Sequence, residues 1–434
     1  MLDIKFIRNN KEAIKKAARD KGIVLDLEKL LFLDEKRKRY ITELESIKAE
    51  QKKIKGDNIE KAKSLKNQYK KLESEFSEIK KEYEESMLRV PTIPSFDTPV
   101  GRSDRDNKEI LRWGELPKFK FKLRDYIQIG KDLDILDLER GVKVAGYRGY
   151  YLKNEGAQLV LAFMLYAFNE MVRKGYTPMI PPTLVKEFVL FGSGYFSGKE
   201  YNPDKDEVYQ IATKENNLDG GFGRDKKFLI GTAEPSLLAY YSNEILKEED
   251  LPIKFCGFSQ CYRSEIGSYG KDTKGIYRVH EFMKVEQVVL CRADIEESDK
   301  IQQEMVKISR ELYENLKLPY RLIQICTGDM GLGKYKAFDI EAWMPGLDRW
   351  GETGSASNFL DWQARRLNVR YVDKTGKNKH IFMLNNTALP SPRIFIAILE
   401  NYQQKDGSVK VPEVLVKYCG FKEIKKKIKK TIQK

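Results

Sequence analysis

Apolar residues recur at alternating steps of three and four positions along two stretches near the start of the chain. One stretch runs from Leu30 to Ile54 and the other from Ala62 to Val90, and this spacing is typical of a coiled-coil seam. Residues 56–58, between the two stretches, favour a tight reversal. We therefore predict two antiparallel helices over about residues 27–90, forming an arm on the order of 40 Å long at a rise of about 1.5 Å per residue.

The helical pattern is interrupted at residues 91–101, which contain three prolines and a glycine and are typical of a linker. Beyond residue 118 the pattern mixes short strands and helices without regular βαβ alternation. Such a mixture favours an α+β fold with an antiparallel sheet over a doubly wound fold. We predict a helical arm domain at residues 1–100, an α+β domain at residues 101–421 and a tail at residues 422–434.

Positive charge is concentrated in two short stretches of this 434-residue chain, whose net charge is +14. Residues 48–71 hold nine lysines against three acidic residues, and residues 422–434 hold seven lysines against one glutamate. The first excess falls at the tip of the predicted arm, where it would attract an RNA phosphate backbone. A dimerisation coiled coil with solvated lysines explains the charge equally well. The candidate RNA-binding residues are Lys52, Lys53, Lys55, Lys61 and Lys63.

Several classes of site are disfavoured by the composition. The chain has five cysteines without a CxxC pair and only two histidines, so no structural zinc is expected. The glycine motifs of P-loop and Rossmann nucleotide sites are absent from the sequence. No apolar run reaches the roughly 20 residues that span a bilayer, and the first residues lack the apolar segment of a secretion signal. We therefore expect a cytoplasmic protein with reduced thiols and no membrane segment.

Polar residues two positions apart recur in the second half of the chain. The pairs are Thr232 with Glu234, Arg263 with Glu265, and Lys284 with Glu286. Alternate residues of a strand share a face, so we predict three strands that line a charged pocket on a sheet. Each pair considered alone is more often the solvated face of a half-buried strand.

Two more polar clusters follow, at residues 352–355 and at residues 384–389 leading to Arg393. Together with the pairs above and residues 339–345 and 357–366, they closely resemble the seryl-tRNA synthetases, a family of class II aminoacyl-tRNA synthetases. The resemblance covers nearly the whole chain. It implies that the α+β domain is a class II catalytic domain, with an antiparallel sheet flanked by helices, and that the arm binds tRNA.

The resemblance also implies the reaction. L-serine would be activated by ATP to seryl-adenylate with release of pyrophosphate, and serine would then be transferred to the 3′ end of serine tRNA. Selenocysteine tRNA, where one exists, would be a further acceptor. A ligase of the same class that loads another carrier is the nearest alternative, and the basic tip of the arm argues against it. A catalytically silent RNA-binding homologue is the other alternative. The presence of five site residues argues against it, namely Arg263, Glu265, Glu286, Glu352 and Arg393.

Activation brings the carboxylate of the amino acid against the α-phosphate of ATP, so two anions must be held together. A planar guanidinium can contact both, and Arg263 is our candidate for this bridge. Arg393 follows Pro392 in the first turn of a predicted helix that Ser391 caps, where an anion is favoured. The resemblance makes Arg393 the contact to the γ-phosphate. Considered alone, it could equally be a structural arginine.

The resemblance assigns the remaining roles at the nucleotide. Glu265 would contact the adenine end of ATP, Val279 would contact ATP through its backbone, and Glu352 would be a ligand of the Mg²⁺ that ATP carries. The catalytic set is Arg263, Glu265 and Arg393. The ATP-binding set is Arg263, Ser264, Glu265, Val279, Glu352, Thr353, Gly354, Ser355 and Arg393.

Selection of serine requires a polar pocket that can hydrogen-bond a hydroxyl. By resemblance, Glu286 and Thr387 surround the serine side chain, and Thr232 and Glu234 lie near its α-amino group. The serine-binding set is Thr232, Ala233, Glu234, Arg263, Glu286 and Thr387. Outside this constellation the ordinary alternatives would be preferred, in which Thr387 satisfies a turn and Glu286 pairs with Lys284 or Arg278.

Other segments complete the resemblance or depart from it. Residues 267–275 resemble the mobile motif 2 loop, and residues 175–182 resemble motif 1, which implies a homodimer. Residues 192–226 match the sequence pattern of the family poorly, and Gly354 occupies a position where a serine is frequent in the family. The lysine-rich tail either binds RNA or is disordered.

Overall fold

The computed structural model describes residues 2–54, 58–212, 226–266 and 274–426. Within these ranges the helices are α1 (Ile4–Asn9), α2 (Lys11–Asp20), α3 (Leu27–Lys53), α4 (Ile59–Leu88), α5 (Tyr126–Asp132), α6 (Leu138–Ala145), α7 (Asn154–Arg173), α8 (Glu187–Ser193), α9 (Glu234–Leu238), α10 (Ile295–Asn315), α11 (Trp362–Leu367), α12 (Ser391–Asn401) and α13 (Glu413–Cys419). The strands are β1 (Lys108–Trp113), β2 (Leu136–Asp137), β3 (Tyr151–Leu152), β4 (Thr177–Met179), β5 (Leu184–Lys186), β6 (Tyr209–Ile211), β7 (Lys227–Leu229), β8 (Ile245–Lys247), β9 (Ile253–Tyr262), β10 (Glu281–Cys291), β11 (Tyr320–Gln324), β12 (Lys336–Met344), β13 (Arg349–Asn358), β14 (Arg370–Val372), β15 (Asn378–His380), β16 (Phe382–Pro390), β17 (Val409–Lys410) and β18 (Glu423–Ile424).

Helices α3 and α4 form the arm, and they run in opposite directions. Near the base, Lys29 Nζ lies 3.3 Å from Glu82 Oε2, and further along Tyr40 Oη donates to Glu75 Oε2 at 3.0 Å. Contacts that move forward on one helix and backward on the other define an antiparallel pair. The predicted antiparallel arm is therefore confirmed.

The base of the arm contains a buried carboxylate. Asp34 of α3 is fully buried and contacts Arg37 Nη2 at 2.9 Å, Lys38 Nζ at 3.1 Å and the guanidinium of Arg8 on α1. Burial by itself favours the neutral carboxyl, but hydrogen bonds from Arg8, Arg37 and Lys38 hold the pKa of Asp34 below its usual value. Charge therefore fixes α1 against α3.

An eight-stranded sheet forms the centre of the rest of the chain. Its strand order is β1-β11-β12-β13-β16-β10-β9-β4, and all neighbours are antiparallel except β4 and β9. Helices α7, α10 and α12 pack against this sheet and contribute the buried side chains Phe163, Leu312 and Phe395. The predicted α+β fold on an antiparallel sheet is confirmed.

The prediction of a strand around Glu234 is wrong. β7 ends at Leu229, and Glu234 is instead the first residue of α9. Pro235 follows it. Proline is favoured in the first turn of a helix, where a backbone N–H has no intrahelical partner, and is disfavoured within a strand, whose ladder uses that N–H. Thr232 and Glu234 are therefore not alternate residues of one strand.

The second polar pair also lies outside a strand. β9 ends at Tyr262, and Glu265 adopts a φ of 55°, in the left-handed region. The backbone after β9 is held by other elements, since Arg263 N donates to His280 O at 2.9 Å. Of the three predicted strand pairs, only Lys284 and Glu286 lie on a strand, β10.

The helix that carries Arg393 begins one residue earlier than predicted. Its N-cap is Pro390, and Ser391 is its first residue. The Ser391 hydroxyl does not cap its own helix but accepts from Met283 N of β10 at 2.9 Å. The serine therefore joins α12 to the sheet, and Arg393 still lies in the first turn.

Parts of several predicted features lie outside the described residues. They are Lys55 and the reversal at 56–57, residues 213–225 of the divergent segment, residues 267–273 of the motif 2 loop, and residues 427–434 of the tail. Within the described ranges, no helix is both long enough and apolar enough to cross a membrane.

Candidate active site

A cavity of about 610 Å³ opens beside the central strands of the sheet. Most of the predicted site residues line it, and they come from several elements and from the turns that follow strands. The predicted residues that line it are Glu234, Arg263, Glu265, Val279, Glu286, Glu352, Thr353, Gly354, Ser355, Thr387 and Arg393. Thr232, Ala233 and Ser264 are not among its lining residues.

Two arginines bring positive charge into this cavity. Arg263 Nε donates to Gly231 O at 3.2 Å, and the guanidinium lies 5.4 Å from the centre of the Phe282 ring. Arg393 Nη1 donates to Glu352 O at 2.7 Å, and its Nε donates to Tyr277 O at 3.2 Å. Backbone carbonyls thus orient both guanidiniums and leave other N–H groups to contact an anion.

Glu265 is held by a neighbouring arginine at another part of the cavity. Its Oε2 accepts from Arg278 Nη1 at 2.7 Å and lies 3.5 Å from Arg148 Nη1. The carboxylate is buried, so this pairing offsets the cost of removing its charge from water. Val279, next to Arg278, is also buried and lines the cavity.

Glu352 and Asp339 form an acidic pair on neighbouring strands. Burial and then the charge of Glu352 raise the pKa of Asp339 to about 7. Partial desolvation at the cavity wall opposes ionisation of Glu352 as well, but Arg393 and Arg263 hold its pKa below the usual value. Arg393 Nη1 lies 3.3 Å from Glu352 Oε2. Glu352 is therefore an ionised hard-oxygen donor at the cavity wall.

These donors suit a cation that arrives with phosphates. Among the described residues, no group of three or more His, Cys, Asp or Glu side chains is placed to hold a metal by itself. Mg²⁺ bound to a nucleotide takes most of its ligands from phosphates and water and needs only one or two carboxylates. Glu352, half-exposed and ionised, fits that requirement.

A buried polar triad occupies the opposite part of the cavity. Lys284 Nζ lies 2.7 Å from Glu286 Oε2, and Thr387 Oγ1 donates to the same oxygen at 3.3 Å. Both charged side chains are almost completely buried, so each depends on the other. The ordinary interpretation of Glu286, a pair with Lys284, is thus correct, but the pair faces the cavity and not solvent.

Glu234 lies in the same region without a cationic partner in contact among the described residues. Its Oε1 accepts from Gln363 Nε2 at 2.7 Å and from Asn385 Nδ2 at 2.9 Å. Burial and then the charge of Glu286 raise its pKa to about 7. Thr232, two residues away, is buried as well, and its Oγ1 has no hydrogen-bond partner among the described residues.

Several lining residues were not identified from the sequence. Asn385 lies within the 384–389 cluster and Arg366 within residues 357–366, so the resemblance of these segments was the signal for both. Tyr277 packs against Arg393, and the guanidinium lies 4.6 Å from the centre of the Tyr277 ring. Tyr195 and Lys334 also line the cavity, and no local pattern in the sequence marks either one.

An antiparallel sheet that carries arginines and carboxylates around one cavity defines the catalytic core of a class II aminoacyl-tRNA synthetase. Two family models match the chain accordingly: the tRNA synthetase class II core domain (G, H, P, S and T) over residues 221–402, and the seryl-tRNA synthetase N-terminal domain over residues 1–94. The chain belongs to the seryl-tRNA synthetase family.

Full-length relatives agree with this assignment. The serine–tRNA ligase of Borrelia garinii is 42% identical over 97% of the chain and 98% of the relative, and that of Treponema denticola is 41% identical over 98% and 100%. The crystal structure of seryl-tRNA synthetase from Pyrococcus horikoshii complexed with ATP superposes with a TM-score of 0.85, at 38% identity, and covers 99% of this chain and 100% of that one. The predictions of an aminoacyl-tRNA synthetase and of serine–tRNA ligase function are confirmed.

Proposed function

We propose that the cavity performs both the activation of L-serine by ATP and its transfer to serine tRNA, with the residue roles given below. The observation that carries the proposal is that Arg263, Arg393, Glu234, Glu286 and Glu352 line one cavity. Such a site offers Arg263 and Arg393 for anionic groups, and carboxylates for an ammonium, a hydroxyl and a metal-bound nucleotide. Selenocysteine tRNA is proposed as a further acceptor where one exists.

Arg263 is proposed to bridge the serine carboxylate and the α-phosphate. Its guanidinium is held at Gly231 O through Nε, which leaves the terminal nitrogens to contact both anions. As the carboxylate oxygen attacks phosphorus and pyrophosphate leaves, charge spreads over the phosphoryl oxygens, and a fixed cation lowers the barrier. Proximity of the two bound substrates supplies the rest of the acceleration.

The amino-acid end is proposed to lie between Glu234 and Glu286. Glu234 would bind the α-ammonium, with Thr232 and Ala233 behind it. Glu286 and Thr387 would hydrogen-bond the serine hydroxyl. A site built to bind a hydroxyl rejects an amino acid without a hydroxyl, because the buried polar groups of the site then lose a partner.

The nucleotide end is proposed to extend toward Glu265 and Arg393. Glu265 would contact adenine, Val279 would contact ATP through its backbone, and Arg393 would hold the γ-phosphate. Ser264 and the 353–355 segment would complete the ATP contacts. Glu352 would hold Mg²⁺, which neutralises phosphate charge when it is bound.

The arm is proposed to bind tRNA through the lysines at its tip. Lys52 and Lys53 are exposed at the end of α3, and Lys61 and Lys63 are exposed near the start of α4. Lys55 belongs to the proposed set but lies outside the described residues. Contacts of lysine with phosphate supply affinity without reading bases.

The chain is proposed to act as a homodimer in the cytoplasm. β4 lies at one edge of the large sheet, and α7 precedes it. Leu161, Leu165 and Val172 of α7 are exposed, as is Ile180 just after β4. An apolar surface beside an edge strand supports a protein interface. The proposed domains remain residues 1–100, 101–421 and 422–434.

The test is amino-acid-dependent exchange of pyrophosphate into ATP, measured with each of the twenty amino acids and with Arg263→Ala as the control. We expect strong exchange with serine alone in the wild type and a loss of about 1000-fold in the variant. Exchange with another amino acid would refute the pocket assignment. Exchange that persists in Arg263→Ala would refute the role of Arg263.

A further inference from the structure

One wall of the cavity is a loop that the sequence motifs leave without a role. Gly331, Leu332, Gly333 and Lys334 all line the cavity, and Lys334 is half-buried there. Glu234 at the proposed serine end and Glu352 at the proposed triphosphate end both experience the charge of Lys334. Lys334 therefore acts electrostatically on both ends of the proposed site, where the serine carboxylate and the phosphates of ATP would bind.

A second lysine holds this loop from outside the cavity. Lys21, the residue after α2, is only 6% exposed, and its Nζ donates to Lys334 O at 2.7 Å, Leu332 O at 3.1 Å and Gly331 O at 3.3 Å. An ammonium has three N–H donors, so three carbonyls can use all of them. A single side chain from the amino-terminal part thus fixes the backbone of the cavity wall.

Neighbouring contacts come from the same part of the chain. Thr92 N donates to Leu332 O at 3.0 Å, and Ser95 N donates to Tyr335 O at 2.9 Å. Leu88, the last residue of α4, lines the cavity itself. The base of the arm and the loop are therefore one packed unit.

A role in packing alone does not explain a lysine at position 21. Burial and the charge of Lys334 lower the pKa of Lys21 to about 7, so the charged form is costly there. An apolar side chain of similar length would fill the space without that cost. The three hydrogen bonds to the loop are the feature that only the lysine provides.

We propose that Lys334 is a further substrate-binding cation of the activation site, and that Lys21 is the positioning residue that holds the Lys334 loop. This proposal rests on the proposed function, because the anion that Lys334 would meet is the serine carboxylate or a phosphate of ATP. The two sources share the same chemistry, and separate KM values for serine and ATP distinguish them.

The experiment compares Lys334→Met, Lys21→Met and the double variant in the full-length enzyme. The matched control is Lys16→Met. Lys16 lies on α2, the helix that directly precedes Lys21, but its side chain is largely exposed. We expect Lys334→Met to raise the KM for one of the two substrates by about 10- to 100-fold, the size of a lost charge-assisted hydrogen bond. Lys21→Met should raise the same KM, and Lys16→Met should change neither KM.

The double variant is the decisive arm. If Lys21 acts through the loop, Lys21→Met should add little to the KM of Lys334→Met, because the group that it positions is already gone. Multiplication of the two effects would refute the positioning role, as would a fall in thermal midpoint for Lys21→Met with both KM values unchanged. Unchanged KM values in Lys334→Met would refute the substrate contact. Absence of serine-dependent exchange in the wild type would instead refute the proposed function.

Discussion

Glu234 of α9 and Glu286 of β10 line one cavity but differ in how their charges are balanced. Lys284 Nζ lies 2.7 Å from Glu286, whereas Glu234 accepts hydrogen bonds only from the neutral amides of Gln363 and Asn385 among the described residues. Burial and the charge of Glu286 accordingly raise the pKa of Glu234 to about 7. The charge of Glu286 is therefore already balanced by Lys284, whereas the charge of Glu234 would be balanced by an incoming ammonium.

This difference predicts a pH dependence of serine binding. Only the ionised form of Glu234 attracts the α-ammonium, so the KM for serine should rise as the pH falls below about 7. In Glu234→Gln the KM should be high at every pH, without that inflection. Initial rates of exchange between pH 6 and 8.5 would check both. A wild-type KM that is flat across this range would contradict the assignment of Glu234.

The same residue predicts a conflict between stability and function. The native state binds the Glu234 proton more tightly than the unfolded chain, so ionisation costs stability as the pH rises from about 4.5 toward 7. Glu234→Gln removes this cost and should raise the free energy of unfolding by about 2 kcal/mol at pH 8. The gain should shrink at pH 5. Thermal midpoints at the two pH values would show it, and a destabilised variant at pH 8 would contradict it.

The Lys284–Glu286 pair predicts the opposite behaviour. Glu286→Gln leaves a buried ammonium without its counter-charge and should cost about 3 kcal/mol of stability as well as serine activation. Adding Lys284→Met removes that charge, so the double variant should regain stability without regaining activity. Denaturant unfolding and exchange assays would separate the two effects. Recovery of serine activation in the double variant would show that Glu286 has no direct role.

The tip of the arm predicts a defect confined to tRNA. Reversing Lys52, Lys53, Lys61 and Lys63 to glutamate should raise the KM for tRNA at least about tenfold and leave serine-dependent exchange unchanged. The salt dependence of charging should also weaken. Reversal of four exposed lysines elsewhere, Lys374, Lys377, Lys405 and Lys410, gives the same change in net charge and serves as the control. An equal defect in the control would refute a local role for the tip.

We predict that a serine can replace Gly354. A Cβ at this position would lie 3.4 Å from Thr387 O and 3.6 Å from Tyr313 Oη, which are ordinary contact distances. Gly354→Ser should therefore keep kcat/KM for ATP within about threefold of the wild type. Steady-state exchange at varied ATP would measure it, and a loss of tenfold or more would mean that the glycine is required.

The arm could be predicted from the sequence because its seam repeats over many residues, and the α+β class could be predicted because regular βαβ alternation is absent beyond residue 118. Prediction from the sequence failed at Glu234, where a helix that begins at that residue replaced the expected strand, although the carboxylate still lines the cavity. Local alternation cannot reveal such cases, since the turn after a strand decides where a side chain lies. Lys21 and Lys334 could not be paired from the sequence because their contact joins positions more than 300 residues apart.

The charge cluster around Asp34 has a mechanical consequence. Arg8 of α1 and Arg37 and Lys38 of α3 contact one fully buried carboxylate near the start of α3, so the angle between α1 and the arm is held there. The end of α3 lies roughly 30 Å beyond Asp34 at about 1.5 Å per residue, so a tilt of about 5° at this pivot would move it by about 2.5 Å. That distance separates a direct lysine–phosphate contact from one with water between the groups. The direction of the arm relative to α1 is thus set by a few charged side chains near its base.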